Sequence, residues 1–390
     1  MALRGYGIFV VIKTEMKKLI FIVCALFFIS GCGKENKIID STIEKTGSME
    51  LEYATQYSVD YYEKGYVHIH INDGADYILV PENEKDYNPG FENPIYIHRP
   101  CNSIYLAASS AMDLFLRIEA LDSISACSTK SKDYAMEEVK KAIDSDEITH
   151  VGKYSAPDYE LLLGKKCNLA VESTMISHSP KIKEQLESIN IPVLVERSSY
   201  EDNPIGRLEW IKLYGVLTGK EEIANEYFEM QCEKLRSTVS DKSFEDGSHK
   251  KRVAFFSITS TGYVTVRKPG DYICRMIEMS GGEYALNELF VEEDNALSTI
   301  NIGMEDFYRE AHDADILIYN GSIDGGVSCM AELLEKNDIL KEFDAVSEGN
   351  VWSTSLNMFQ ESSKIVDVIV EMANLISGNE TTGGYLTHLE

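Results

Sequence analysis

Arg197, in "ERSSYED", and Arg267, in "TVRKPGD", each stand where an apolar strand-like run gives way to a loop. In an open α/β sheet such loops, at the carboxyl ends of strands, are where ligands gather. Other loops of that kind add Ser110 in "ASSAMD", Tyr154 in "GKYSAPD" and Met175 in "ESTMISHSP". The second half adds Tyr263 in "STGYVT", Asn320 in "YNGSID", and Trp352 and Phe359 in "VWSTSLNMFQE". Guanidinium forks grip carboxylate or other oxygen-rich edges, and aromatic faces hold an apolar body. Non-covalent capture of a ligand with both features is the chemistry these residue types suit. Capture of a bare metal ion would want several convergent ligands. His68 and His70 share one strand face in "VHIHI", but no third ligand stands near them, so they read as a polar outer face. Catalytic motifs are missing too: there is no G-x-G-x-x-G after a strand, no phosphate-binding G-x-x-x-x-G-K, no H-E-x-x-H and no G-x-S-x-G. No enzyme activity and no cofactor are expected.

The elements that must position these loops follow from periodicity. "SIYLAAS", "SISACS", "NLAVES" and "PVLVERS" read as buried strands. Helical patterns such as "AMDLFLRIEAL", "DYELLLGKK" and "KIKEQLESI" separate them, and this alternation predicts a parallel sheet covered by helices. The plan resumes later with "RVAFFSIT" and "DILIYNG" as strands. Earlier, "YVHIHINDGADYILVP" is a β-hairpin signal with its turn at Asn72-Asp73-Gly74. Between the two alternating halves, Asn203 and Pro204 open a helix with a capping side chain and an N1 proline. From Pro204 to Leu235 a continuous rod would measure roughly 45 Å, enough to hold two halves at a nearly fixed angle. Gly215 and Gly219 are points where it could bend.

The chain has 390 residues, room for two domains. Its 37 basic and 64 acidic residues give a net charge of −27, which argues against nucleic acid as a partner. The segment "MKKLIFIVCALFFISGC" has a basic start and an apolar run from Leu19 to Ile29, shorter than the about 20 residues of a membrane span. Ser30 and Gly31 before Cys32 resemble a bacterial lipobox, in which the cysteine is acylated. An exported protein tethered to the bacterial cell membrane through Cys32 is therefore expected, with Met16 a candidate start. The later cysteines show no C-x-x-C pair and no metal spacing, and read mainly as buried thiols.

"SYEDNPIGRLEWIKLYGVLTGKEEIANEYF" closely resembles the inter-lobe helix of helical-backbone (class III) substrate-binding proteins of ABC importers, and the similarity runs from about Pro94 to the C-terminus. The resemblance implies an α/β fold of two Rossmann-like lobes with parallel sheets, joined by a single long helix, with ligand held between the lobes. It divides the chain into a signal peptide (1–31), a tether (32–50), a β-hairpin extension (51–94), an N-terminal lobe (95–201), an inter-lobe helix (202–243) and a C-terminal lobe (244–390). It implies an iron complex as ligand, a ferric siderophore first, with haem or a corrinoid open. Met175 and His178 would then be candidate axial ligands to a haem or cobalt centre. The implied partners are a membrane permease with its ATPase subunits and the membrane itself, the chain acting as a monomer. Family members also carry an acidic residue on each lobe that pairs with permease arginines. By motif this falls on Glu160 and Glu305, each in the first turn of a helix, where the dipole alone already favours a glutamate. An exported surface enzyme, or a sensor or adhesin on the same fold, is the alternative.

Overall fold

The computed structural model describes residues 43–240, 250–289, 298–323, 326–381 and 384–390. The expected leader and Cys32 lie outside the described residues. Alternation of Val67, Ile69 and Ile71 with His68 and His70 builds a strand whose apolar side is fully buried. It is the centre of a five-stranded sheet in the order β1 (Lys45–Ser48), β2 (Tyr57–Tyr62), β3 (Val67–Ile71), β4 (Ala75–Val80), β5 (Ile95–His98). The first four pair antiparallel, and β5 runs parallel to β4. The expected hairpin is β3–β4, and Gly74 takes the left-handed φ of +92° that its turn demands. The sheet is larger than a hairpin, though. It takes in the end of the expected tether, and its last strand uses the first residues expected of the N-terminal lobe.

The second sheet has the order β12-β11-β6-β7-β8, all parallel, from β6 (Ile104–Leu106), β7 (Ile124–Cys127), β8 (Thr149–His150), β11 (Leu169–Ser173) and β12 (Val193–Glu196). A two-stranded ribbon, β9 (Gly152–Lys153) with β10 (Ala156–Pro157), follows β8. The third sheet runs β16-β14-β13-β17-β18-β19, with β15 beside β13. Here β13 (Arg252–Ile258), β15 (Glu283–Tyr284), β17 (Ile316–Tyr319) and β18 (Val351–Thr354) are parallel. β14 (Val264–Arg267), β16 (Thr299–Ile302) and β19 (Leu386–His388) add antiparallel margins, because a short hairpin returns the chain after β13.

Between these sheets the expected rod is two helices, Pro204–Thr218 and Glu221–Ser240. Asn203 and Pro204 begin the first as expected, the Asn203 side chain accepting the Ile205 N–H at 2.9 Å. Gly219, at a left-handed φ of +74°, ends it. The chain then folds back. A Cβ on Gly215 would lie 2.8 Å from the Ala224 Cβ, and the Lys212 ammonium sits 4.2 Å over the Phe228 ring. The bend that two glycines allow has become a hairpin, and the second limb carries the chain on toward the C-terminal lobe. Every residue of the first limb except Arg207 and Thr218 is buried. One apolar cluster runs from the first sheet through this hairpin into the third sheet. All six cysteines among the described residues are free thiols, five of them buried. No helix among the described residues is long and apolar enough to cross a membrane.

Candidate functional site

Where the carboxyl ends of β12 and β14 face one another, the two lobes enclose a cleft of about 360 Å³. Tyr200 and Ser199 come from the loop after β12, Arg207 from the first limb of the hairpin, and Arg267 from the end of β14. Asp271 and Tyr272, at the start of helix Tyr272–Met279, with Ser298 and Phe359 complete the walls. The Arg207 guanidinium lies 3.8 Å over the Tyr272 ring. Arg267 lies 5.3 Å from the Phe359 ring centre and 5.5 Å from that of Phe255, with Asp271 at 3.6 Å. Asp271 caps its helix by accepting the Ile273 N–H at 3.0 Å. Burial raises its pKa, and the neighbouring Arg267 and Arg207 oppose that rise. Asp271 thus offsets part of the charge of both arginines, that of Arg267 most directly, and both lie over aromatic faces as cation–π pairs. The arrangement offers positive charge and flat apolar surface together.

Deeper between the lobes is a small space of about 30 Å³, room for a water or two. Ser110, Glu196, Arg207, Phe359 and Glu361 are among its walls. Glu196 is buried; desolvation pushes its pKa up, and the Ser198 N–H, donating to it at 2.8 Å, pulls the other way. On this side the lobes are latched. The Ser363 N–H donates to buried Asp113 at 2.8 Å, and Ser362 Oγ donates to the Ser110 carbonyl at 2.9 Å. The Gln360 amide accepts from the Ala135 N–H at 2.7 Å and donates to the Asp133 carbonyl at 2.8 Å.

Of the sequence-derived ligand candidates, Ser110, Arg267 and Phe359 converge here. The others lie outside these two spaces. Arg197 stacks on Tyr200 at 4.2 Å and reaches Gln56, in the connection before β2, at 3.4 Å. Tyr154, in the β9–β10 turn, packs on the second apolar cluster of the N-terminal lobe. Met175 is exposed in the turn Thr174–His178 and Tyr263 at the β13–β14 turn. Asn320 is buried, its carbonyl oxygen accepting from Ser322 Oγ at 2.6 Å. Trp352 packs against His388. No three potential metal-ligating groups converge among the described residues. Glu160 and Glu305 are both exposed in the first turns of helices Tyr159–Gly164 and Met304–Ala311. Sequence reasoning missed Arg207 and Tyr272. The signal for Arg207 was present: a charged residue in the otherwise apolar opening of "NPIGRLEW" needs a partner or a pocket.

No family model matches the chain. Two uncharacterized lipoproteins of Methanocaldococcus jannaschii are each 23% identical to it, one over 262 residues and the other over 321. The match covers 66% of this chain and 59% of the first relative's length, and 80% and 78% for the second. Among solved structures, a periplasmic binding protein of Veillonella parvula superposes with a TM-score of 0.58 at 16% identity, over 72% of this chain and 92% of its own. The periplasmic heme-binding protein of Vibrio cholerae gives 0.55 at 17%, covering 68% and 96%. The petrobactin-binding protein of Bacillus subtilis gives 0.56 at 14%, covering 80% and 99%. With two α/β lobes, a helical connection and a cleft between them, the chain has the fold of the helical-backbone periplasmic substrate-binding proteins of ABC transporters.

Proposed function

We propose that this chain is the lipid-anchored, extracytoplasmic binding subunit of an ABC importer, and that it captures an anionic iron complex between its lobes. The observation that carries the reading is the pairing of Arg207 and Arg267 with Tyr272 and Phe359 in one inter-lobe cleft. In a chain of net charge −27, a cleft walled by two arginines against one carboxylate, Asp271, favours a ligand that brings its own negative edge. A ferric siderophore or the propionates of haem meet that demand better than a neutral corrinoid. The latch across Asp113, Ser363 and Gln360 supports a cleft largely formed before ligand arrives, which lowers the ordering cost of binding. Energy for transport would come from the ATPase partners, and release would follow docking on the permease.

Trp210 is fully buried in the helical hairpin and Trp352 packs away from the cleft, so calorimetry and native mass spectrometry suit the test better than tryptophan fluorescence. Titration with ferric siderophores, haem and cobalamin is expected to give saturable one-to-one binding of an anionic iron complex. Arg207→Ala and Arg267→Ala should each weaken that binding by about tenfold or more. Affinity untouched by both changes, or chemical conversion of the bound compound, would refute the assignment.

A further inference from the structure

We infer that the groove between the first sheet and the N-terminal lobe is a second binding site, and that it takes a neutral saccharide. The groove measures about 670 Å³, larger than the inter-lobe cleft at about 360 Å³, and falls in the range of small-molecule sites. It lies at the opposite end of the second sheet. Asn102 precedes β6, Asn168 precedes β11, and Asn190 leads into β12, so three neighbouring strands each bring an asparagine to one rim. The facing wall is β5, the edge strand of the first sheet, through Ile95, Tyr96 and His98.

Charge selects the ligand class. Arg99 also lines the groove, but its guanidinium donates to the Val216 carbonyl at 2.9 Å and lies 4.0 Å from Glu221, on the hairpin side. His98 is held by Asp86 at 2.8 Å. What remains for a ligand is the Glu187 carboxylate, 3.9 Å from the Lys183 ammonium, and the amides of Asn102 and Asn190, since the Asn168 amide N–H already donates to the Pro100 carbonyl at 2.7 Å. Asn102 and Asn190 are exposed and make no side-chain hydrogen bond among the described residues. An amide both donates and accepts, as a hydroxyl does, and a carboxylate only accepts. That set matches hydroxyls and disfavours anions. The floor of Ile95, Pro100, Pro192 and the Tyr96 ring matches the C–H face of a pyranose. This site shares no residue with the inter-lobe cleft, so the two readings stand or fall separately.

The test uses the full chain and saturation-transfer NMR with chitotriose, cellotriose and maltotriose, and trigalacturonate as the anionic control. Asn102→Ala removes an exposed amide. Asn190→Gly removes another where φ is +62°, a conformation glycine adopts freely. Transfer to the ring protons of at least one neutral trisaccharide is expected. Each variant should weaken it by about tenfold while cleft binding of the iron complex stays unchanged. Transfer to none of the neutral sugars, transfer that persists in either variant, or a stronger response to trigalacturonate would overturn the inference.

Discussion

Glu172 closes the apolar strand β11 and is fully buried, with neither carboxylate oxygen hydrogen-bonded among the described residues. Tyr105, whose hydroxyl is likewise buried without a partner, is close enough to feel its charge. Desolvation pushes the Glu172 pKa up to about 8. Near neutrality the folded chain holds this proton while the unfolded chain releases it. Stability from this group is therefore full below the ordinary carboxylate range and is lost as pH rises toward about 8. Glu172→Gln should remove that loss, raising stability by a few kcal/mol at pH 9 relative to pH 5 when compared with the parent. Urea denaturation at both pH values reads it directly; an unchanged pH dependence would mean the carboxyl is paired or solvated. From "NLAVES" a glutamate at a strand end was legible, but its burial beneath covering helices was not, because burial depends on what packs over it.

At the scale of elements, the first sheet is strapped to the hairpin by two buried carboxylates. Five consecutive backbone N–H groups, Glu52 to Gln56, donate to Glu209 and Glu201 at 2.8 to 3.1 Å. Trp210 Nε1 also donates to Glu201 at 2.9 Å, and Lys212 pairs with Glu209 at 2.8 Å. Gly206 lets the strap approach: a Cβ there would meet the Tyr53 carbonyl at 2.9 Å. Glu201→Ala leaves buried donors unmet, and is expected to cost about 2–4 kcal/mol. Hydrogen exchange at Thr55 and Gln56 should accelerate far more than at β17; protection kept at both amides would show the strap held by packing alone. The charges in "RLEWIK" were visible, yet an N-terminal partner about 150 residues away in sequence was not. The rod failed for a related reason. Helical periodicity continues through Gly219, and folding back is favoured by packing between the limbs, where Gly215 admits Ala224 and Lys212 lies over Phe228.

For the whole molecule, the lobes are joined by the second limb and latched through the 360–363 loop, while exposed Glu160 and Glu305 belong to different lobes. If these glutamates dock a permease, Glu160→Arg combined with Glu305→Arg should abolish uptake while ligand affinity stays within about twofold. Uptake at the parental rate would remove the docking assignment. Each glutamate sits exposed in the first turn of its helix, so the change removes no buried contact.

Local periodicity and capping were enough to read the parallel strands of the second sheet, the β3–β4 hairpin and the start at Asn203, because each depends on neighbours within a few residues. Loop position also brought Ser110, Arg267 and Phe359 forward as candidates, and these three line the two inter-lobe spaces. Tertiary structure decided the rest: the fold-back at Gly219, the five-stranded extent of the first sheet, and the place of Arg207 over Tyr272. Each of these is fixed by contacts between distant segments, and a burial pattern along one segment does not say which surface will cover it.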